Sequence, residues 1–172
     1  MHGIIDSTEI GDIRLDAQPF WKIHGGFQNF LPISEKLSFL SGLNFGLSAE
    51  ETALTDIYYL GGHQFNLRRN QVSFLGLEPN QLTAYNFIKL NAGLQHETVP
   101  GLYMGINCNY MRTSDLLNEL MDELFSSWGD KDHFGLGGGI TYKSPLGPLS
   151  LWFGSQVNEF TPSWYINFGY TF

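Results

Sequence analysis

The sequence predicts an all-β fold, an antiparallel transmembrane β-barrel of about eight strands, and two observations support this prediction. Apolar and polar residues alternate with a period of two through most of the 172-residue chain, which places one set of side chains on each face of a strand. Charged residues make up only 15% of the chain, aromatic residues another 15%, and there are 20 glycines. An average soluble domain has about 25% charged residues, so the composition is unusual for a soluble protein.

The membrane part of the prediction rests on segment length. No run approaches the roughly 18 consecutive apolar residues of a membrane helix, and a chain that crosses a bilayer without helices must do so as a closed barrel. The length suits one domain, so we expect a single barrel domain over residues 1–172. Residues 1–10 lack the basic and apolar regions of a secretory signal, so an exported chain would be a mature form or a piece of a longer protein.

The individual strands are predicted from their alternation. The clearest pair lies at residues 88–97 and 102–110, where apolar residues occupy the even positions and mostly polar or glycine residues the odd ones. Pro100 and Gly101 supply a tight turn between them, so the two strands form a hairpin. The same alternation predicts further strands at residues 21–28, 37–47, 52–60, 136–142, 149–158 and 163–172.

The last predicted strand has the distribution of aromatic residues expected of a membrane strand. One face carries Trp164, Ile166, Phe168, Tyr170 and Phe172. Aromatic residues at both ends of an apolar middle are typical of strands that meet two membrane interfaces. The sequence therefore favours membrane over water for the apolar face.

The predicted connections alternate in length. Short turns lie at residues 32–35, 100–101 and 144–148, and long connections at 61–81 and 113–132. Short periplasmic turns and long external loops are the rule in outer-membrane barrels. Within the second long connection, apolar residues at helical spacing follow the N-cap candidates Ser114 and Asp115, which predicts an amphipathic helix over residues 116–125.

Two stretches resemble a known family. Residues 137–149 read Gly-Gly-Gly-Ile-Thr-Tyr-Lys-Ser-Pro-Leu-Gly-Pro-Leu, and residues 165–172 read Tyr-Ile-Asn-Phe-Gly-Tyr-Thr-Phe. They resemble the C-terminal end of the bacterial surface antigen superfamily, which includes barrel-assembly insertases, two-partner secretion transporters and the barrels attached to bacterial patatin-like phospholipases. Because the family barrel has sixteen strands, the chain resembles its C-terminal half.

The resemblance implies roles for particular residues. A periplasmic turn motif is formed by Ser144, Pro145, Leu146, Gly147 and Pro148. The terminal Phe168, Tyr170 and Phe172 form a C-terminal barrel signal through which the barrel-assembly machinery would act.

A second resemblance concerns the first long connection. Gly61 and Gly62 precede Arg68 and Arg69, as a double glycine precedes a Val-Arg-Gly motif in the family's inward-folded loop. Arg68 then occupies the arginine position, Arg69 replaces the glycine, and Asn107 stands where an acidic partner is expected. The alternative is that Arg68 is a solvent-exposed loop residue. The sequences of residues 18–20 and 61–65 resemble the patatin-associated branch of the family more than the insertases.

The sequence contains no recognisable catalytic or cofactor chemistry. It has no Gly-x-Ser-x-Gly elbow, no phosphate loop, and no paired histidines at metal-ligand spacing, so we expect no catalytic residue, cofactor or metal. The glycine-rich run at 135–139 is interpreted as small inward residues in a crowded barrel. A net charge of −8 argues against a nucleic-acid partner, and a single cysteine, Cys108, excludes an internal disulfide. Lys22, Lys89, Glu97 and Asn107 are predicted to line a wet interior.

Two functional hypotheses remain open from the sequence. The first is a bacterial outer-membrane barrel that serves as membrane anchor or translocation pore for an attached domain, non-catalytic in itself. If the attached domain is patatin-like, the full protein would be a lipid acyl hydrolase. Its partners would be outer-membrane lipid, the barrel-assembly machinery, and either a further copy or missing N-terminal strands. The alternative is a soluble eight-stranded barrel that binds a small apolar ligand, with apolar residues inward and a polar exterior.

Overall fold

The structure is a computed structural model that describes residues 21–48, 57–63, 70–122, 129, 131–157 and 161–169. Nearly all of the described chain is β-structure, with one short helix. The elements in chain order are β1 (Lys22–Pro32), β2 (Leu37–Ser48), β3 (Tyr58–Leu60), β4 (Gln71–Val72), β5 (Leu82–Ala84), β6 (Asn86–Val99), β7 (Leu102–Ser114), α1 (Leu117–Asp122), β8 (Asp132–Ser144), β9 (Gly147–Gln156) and β10 (Pro162–Phe168).

The main sheet has seven strands in the order β1-β2-β6-β7-β8-β9-β10, and every neighbouring pair is antiparallel. Most of these strands are as long as, or longer than, the roughly 9 to 11 residues that cross a bilayer at a tilt. The register shifts once between β6 and β7, between Glu97 and Val99 beside the predicted Pro100-Gly101 turn. The fold class predicted from the alternation is confirmed, although the described sheet is open.

Most apolar side chains of the main sheet point outward. On β7, Ile106 is 59% exposed, whereas Asn109, on the opposite face, is only 4% exposed. On β8 and β9, Leu136 and Leu151 are exposed, and Ser150 is buried. The soluble ligand-binding alternative requires apolar residues inside and polar residues outside, and the structure has the reverse arrangement.

The polar face of the main sheet is covered by an inner segment, which we define as residues 57–63 and 70–85. It contains a small second sheet in the order β4-β3-β5, with β3 parallel to β4 and antiparallel to β5. The core of the molecule lies between this segment and the main sheet. Its buried residues are Tyr58, Leu60, Val72, Phe74, Leu77, Ala84, Phe87 and Met111.

The strand predicted at residues 52–60 is the main difference between sequence and structure. β2 pairs directly with β6, so no strand lies between them in the main sheet. Tyr58 and Leu60 instead belong to β3 of the inner segment and are fully buried, while residues 52–56 lie outside the described residues. Alternation alone cannot assign a strand to one of two sheets, because a strand in either sheet has the same period.

The predicted helix is present in shorter form. α1 covers Leu117–Asp122, with Leu120 fully buried and Met121 more than half exposed, as expected of an amphipathic helix. The predicted continuation through residues 123–125 lies outside the described part of the chain. No helix among the described residues is long and apolar enough to cross a membrane.

Candidate functional site

The candidate site is the contact between the inner segment and the inner face of the main sheet. The segment enters through the glycine pair predicted from the sequence. Gly61 and Gly62 have φ angles of 129° and 76°, a conformation that residues with a side chain rarely adopt. A Cβ atom on Gly61 would lie 2.1 Å from the Glu78 carbonyl oxygen. Gly62 exchanges backbone hydrogen bonds with Phe74 and Leu77, so the pair lets the chain turn back on itself.

The tip of the inner segment, Leu75 and Gly76, lies against glycines of β8 and β9. A Cβ atom on Gly135 would lie 2.0 Å from the Leu75 carbonyl oxygen, and one on Gly76 would lie 2.3 Å from the carbonyl carbon of Ser155. A Cβ atom on Gly154 would lie 3.0 Å from the Gly76 nitrogen. Backbone meets backbone here, so no larger residue fits. Of the 135–139 run, Gly135, Gly137 and Gly139 are small inward residues as interpreted, whereas Gly138 lies on the outer face beside Ile106.

Two side chains of β10 hold the segment by hydrogen bonds to its backbone. The hydroxyl of Tyr165, which is buried, accepts a hydrogen bond from the Gly76 nitrogen (3.0 Å) and donates one to the Leu77 carbonyl oxygen (2.9 Å). Asn167 donates from Nδ2 to the His63 carbonyl oxygen at 2.7 Å. The last strand thereby supplies a hydrogen-bond partner to three backbone groups of the inner segment, on His63, Gly76 and Leu77.

A buried cation holds the segment from the other side. Lys89 of β6 is only 5% exposed, and its Nζ donates to the Ser73 carbonyl oxygen at 2.6 Å and to the Ser73 hydroxyl at 3.2 Å. Hydrogen bonds from a charged donor are roughly twice as strong as neutral ones. Lys22 of β1 lies over the Tyr58 ring, 4.0 Å from its centroid, a cation–π contact. Both lysines thus face the interior, as predicted, but they bind the inner segment.

We call the turn at Gly61 and Gly62 the entry turn. His63 follows it directly and lies among aromatic rings. Its ring centroid is 4.5 Å from that of Trp152 and 6.1 Å from that of Tyr165. Burial, with a contribution from the positive charge of Lys89, lowers the pKa of His63 from 6.5 to about 4. His63 is therefore neutral at pH 7 and packs as an aromatic group.

A buried ion pair lies where the second long connection leaves the sheet. Arg112 donates from Nε and Nη2 to the carboxylate of Asp132 at 2.7 Å and 2.6 Å. The same carboxylate accepts hydrogen bonds from the Tyr110 hydroxyl and the Gly129 nitrogen. Farther along the connection, Lys131 pairs with Glu119 at 2.7 Å, and this hydrogen bond lowers the pKa of Glu119. These pairs fix the two ends of the connection to each other.

The structure locates only part of the predicted site. Gly61 and Gly62 lie in the entry turn, but Arg68 and Arg69 lie outside the described residues. The Oδ1 atom of Asn107 is buried and has no hydrogen-bond partner within the described ranges. The bidentate ion pair that the structure does show is Arg112 with Asp132, which the sequence analysis did not find.

The predicted terminal motifs are also only partly described. Pro145 and Leu146 form the turn between β8 and β9, Ser144 donates a hydrogen bond to the Gly147 carbonyl oxygen, and Pro148 lies in β9. Phe168 ends β10 with its side chain 65% exposed. Tyr170 and Phe172 lie outside the described residues. The roles of these residues stay predictions.

Three contact residues were missed by the sequence analysis, although a signal for them exists. Tyr165, Trp152 and Phe87 are aromatic residues on the polar face of their strands. A large aromatic residue among glycines and amides marks a place where that face packs against protein. Among the described residues, no three His, Cys, Asp or Glu side chains are close enough to hold a metal ion.

The comparisons with known proteins agree with this geometry. The family model described as the OMP85 superfamily matches residues 11–172. The chain belongs to the OMP85 superfamily. The resemblance to surface-antigen barrels is thus confirmed at the level of the superfamily, and the patatin-associated branch is not distinguished by the match.

A solved structure shows the same fold as this OMP85 chain. The crystal structure of BamA from Haemophilus ducreyi lacking POTRA domains 1-3 superimposes with a TM-score of 0.57 over 87% of the chain, at 11% sequence identity. The chain covers 34% of that BamA chain. At this identity the likeness concerns the fold alone. No curated protein matches the sequence.

Proposed function

We propose that this chain forms part of the wall of an outer-membrane translocation path, in which the inner segment acts as a plug that must be displaced for passage of an attached domain. The observation that carries the proposal is that a few single side chains supply polar contacts between the inner segment and the wall, beside the apolar core that the segment shares with Phe87 and Met111. Tyr165, Asn167 and Lys89 make five hydrogen bonds to it. The outward apolar band supports placement in lipid, with outer-membrane lipid as the surrounding partner.

The strength of the attachment suits a plug that can be released. A neutral hydrogen bond contributes about 0.5–1.5 kcal/mol net, and one to a charged group about 1.5–3 kcal/mol. The hydrogen bonds of Tyr165, Asn167 and Lys89 therefore contribute several kcal/mol in total, in addition to the apolar packing of the segment against the main sheet, and each bond can exchange for water or for a passing chain. A translocation path closed by such contacts stays closed at rest, and it can open when these hydrogen bonds are exchanged.

The second hypothesis, a membrane anchor for an attached domain, uses the same fold differently. In a membrane anchor, the inner segment stays against the inner face of the sheet permanently, and no translocation path opens. A patatin-like attached domain, which would make the full protein a lipid acyl hydrolase, belongs to this proposal as well. Assembly through the C-terminal strand by the barrel-assembly machinery is common to both.

The test compares the permeability of the outer membrane in cells that produce the protein. Tyr165→Phe and Lys89→Met remove plug contacts, and their matched controls are Tyr142→Phe and Lys143→Met, which alter exposed residues. The proposal expects faster entry of a large hydrophilic dye with the two plug variants, and wild-type entry with the controls. Equal entry in all strains, with equal amounts of folded protein, would contradict a path and favour the anchor.

A further inference from the structure

We infer that a groove on the outer face of the main sheet binds one acyl chain of a membrane lipid. The groove extends from β1 to β8 near the middle of the strands. The inference rests on the contact of the outer face with lipid, which is part of the proposed function, and it does not depend on the translocation path. A failed permeability experiment would therefore leave the inference standing, and a groove without lipid would leave the translocation path standing.

The floor of the groove consists of three small residues on neighbouring strands. Ser41 of β2 pairs with Ala92 of β6, and Ala92 pairs with Cys108 of β7, so the three side chains stand side by side across the sheet. Ala92 lies between Leu90 and Leu94 on the same face of β6, and both leucines are exposed on the outer face. The small residues therefore leave a depression in a surface of large apolar side chains.

Large side chains bound the groove on both sides. The row toward the long connections lines the groove and contains Leu43, Leu90, Tyr110 and Phe134. The next row toward the short turns contains Phe39, Leu94 and Ile106. Leu90 and Leu94 are four residues apart on β6, a distance of about 13 Å in an extended strand. The groove between the two rows is thus one row of side chains wide, and its volume is about 320 Å³.

The lining of the groove is mostly apolar, and two of its polar groups are hydrogen-bonded within the protein. Among the described residues that line it, none carries a charged side chain. The Cys108 thiol donates a hydrogen bond to the Ala92 carbonyl oxygen at 3.3 Å. The Tyr110 hydroxyl donates one to the carboxylate of Asp132 at 2.7 Å. The lining therefore favours a hydrocarbon over a sugar or a phosphate, which would need hydrogen bonds or charge.

The floor of the groove lies halfway along the strands that form it. Cys108 is six residues from each end of β7, and Ala92 is six residues from the start of β6 and seven from its end. In a strand that crosses a bilayer, this level lies in the middle of a hydrocarbon core about 30 Å thick. Lipid headgroups do not reach this depth, so acyl chains are what the outer face contacts there.

The shape of the groove distinguishes an acyl chain from a second copy of the protein. Phe27 at one end is 65% exposed, and Leu136, the partner of Cys108 on β8, is 54% exposed. These side chains and the two bounding rows would hold the broad wall of another barrel away from the floor. A flexible acyl chain can lie between them and restore the dispersion contacts that an empty groove forfeits. Because lipid tails are as apolar as leucine, packing rather than the hydrophobic effect would hold this chain.

The first experiment counts the lipids that stay bound. The protein is extracted from the membranes of producing cells in a mild detergent, and native mass spectrometry gives the number of phospholipids per protein. Ser41→Phe fills the groove, and its matched control is Ser155→Phe, the same change in the same row of side chains but outside the groove. We expect Ser41→Phe to retain one phospholipid fewer than the wild type and Ser155→Phe. Ala92→Phe fills the groove from another strand and replaces Ser41→Phe if that variant does not fold.

Photolabelling in phosphatidylcholine vesicles locates the lipid. The probe is phosphatidylcholine with a diazirine in the middle of one acyl chain. Leu90 lines the groove and Leu151 lies outside it, and the two residues are similarly exposed, at 48% and 45%. We expect the ratio of adducts on Leu90 to adducts on Leu151 to fall in Ser41→Phe and to keep its wild-type value in Ser155→Phe.

The photolabelling ratio decides the inference, because the lipid count also includes phospholipids bound elsewhere. A ratio that is unchanged in Ser41→Phe, or that falls equally in both variants, would overturn the inference. A dimer in native mass spectrometry that Ser41→Phe alone dissociates, with an unchanged ratio, would overturn it in favour of a second copy as the occupant of the groove.

Discussion

The two faces of the main sheet have the same backbone but oppose different surroundings. On the outer face the large apolar side chains are exposed and uniform in character, from Phe27 on β1 to Ile166 on β10. On the inner face glycines stand beside isolated aromatic and polar residues, and a Cβ atom on Gly46, Gly135, Gly137 or Gly154 would meet an atom of the inner segment. The difference shows that the residue types of the outer face suit the surrounding solvent, whereas those of the inner face suit contact with the inner segment. The effect of a substitution should therefore depend on the polarity of the new side chain on the outer face, and on its shape on the inner face.

The largest effect is expected when a charge is placed on the outer face. Leu94 and Gln95 are neighbours on β6 that point to opposite faces. Leu94→Lys should lower the free energy of unfolding in lipid vesicles by about 2–4 kcal/mol, because a lysine near the bilayer centre loses its hydration. The measurement is a denaturant titration of the protein folded in vesicles.

The matched control is Gln95→Lys, which places the same charge on the polar face. We expect a change within about 0.5 kcal/mol, as for an ordinary surface substitution. Equal losses for the two variants would contradict the assignment of the outer face to lipid.

The next effect tests the shape dependence of the inner face. Gly135→Val adds a branched side chain where a Cβ atom would already lie 2.0 Å from the Leu75 carbonyl oxygen. Overpacking costs about 1–3 kcal/mol, and here it should also expel the tip of the inner segment. Limited proteolysis of the protein in vesicles should then cut near Leu75, a site that is buried in the wild type.

Leu136→Val, on the next residue and the opposite face, serves as the control for that clash. Leu136 is exposed on the outer face and would be replaced by a smaller apolar residue in contact with lipid. Proteolysis at the wild-type rate is expected. An unchanged rate for Gly135→Val as well would show that the tip does not depend on glycine at this position.

A smaller effect is expected from the hydroxyl of Tyr165. Tyr165→Phe removes the hydrogen-bond acceptor of the Gly76 nitrogen, and it leaves the Leu77 carbonyl oxygen with the Gly62 nitrogen as its remaining donor. An unsatisfied buried polar group costs about 1–3 kcal/mol. We therefore expect the free energy of unfolding from the denaturant titration to fall by about 2 kcal/mol. Tyr142→Phe, on the exposed outer face, should change the free energy of unfolding by no more than a few tenths of the change expected for Tyr165→Phe. A loss shared by both variants would argue against the hydrogen bonds as the cause.

The comparison of faces also explains how much the sequence could predict. Alternation located the strands of the main sheet and the turn at Pro100-Gly101, because both are local properties of the chain. It placed Tyr58 and Leu60 in the wrong sheet, because the choice between two sheets depends on contacts far away in the sequence. The roles of Tyr165 and Lys89 were hidden for the same reason, since their partners Gly76, Leu77 and Ser73 are distant in the chain.

The smallest expected effect concerns the protonation of His63. In the folded protein the pKa of His63 is lowered from 6.5 to about 4, so the unfolded chain binds more protons between these values. Stability is then fully present above pH 6.5 and falls as the pH drops toward 4. At pH 6 the loss attributable to this one group is about 1 kcal/mol. The measurement compares denaturant titrations at pH 8 and pH 6.

The chain contains four histidines besides His63, so the informative quantity is the difference in pH dependence between the wild type and a variant that lacks His63. His63→Gln keeps a polar side chain of similar reach but cannot take up the proton. The wild type should lose about 1 kcal/mol more than His63→Gln between pH 8 and pH 6, because only the wild type has a side chain here that takes up a proton on unfolding. His96→Gln, the same substitution at an exposed position on β6, is the control for the exchange of side chains itself. If His63→Gln has the same pH dependence as the wild type, the ring is not held neutral by the inner face, and the entry turn lies in contact with water.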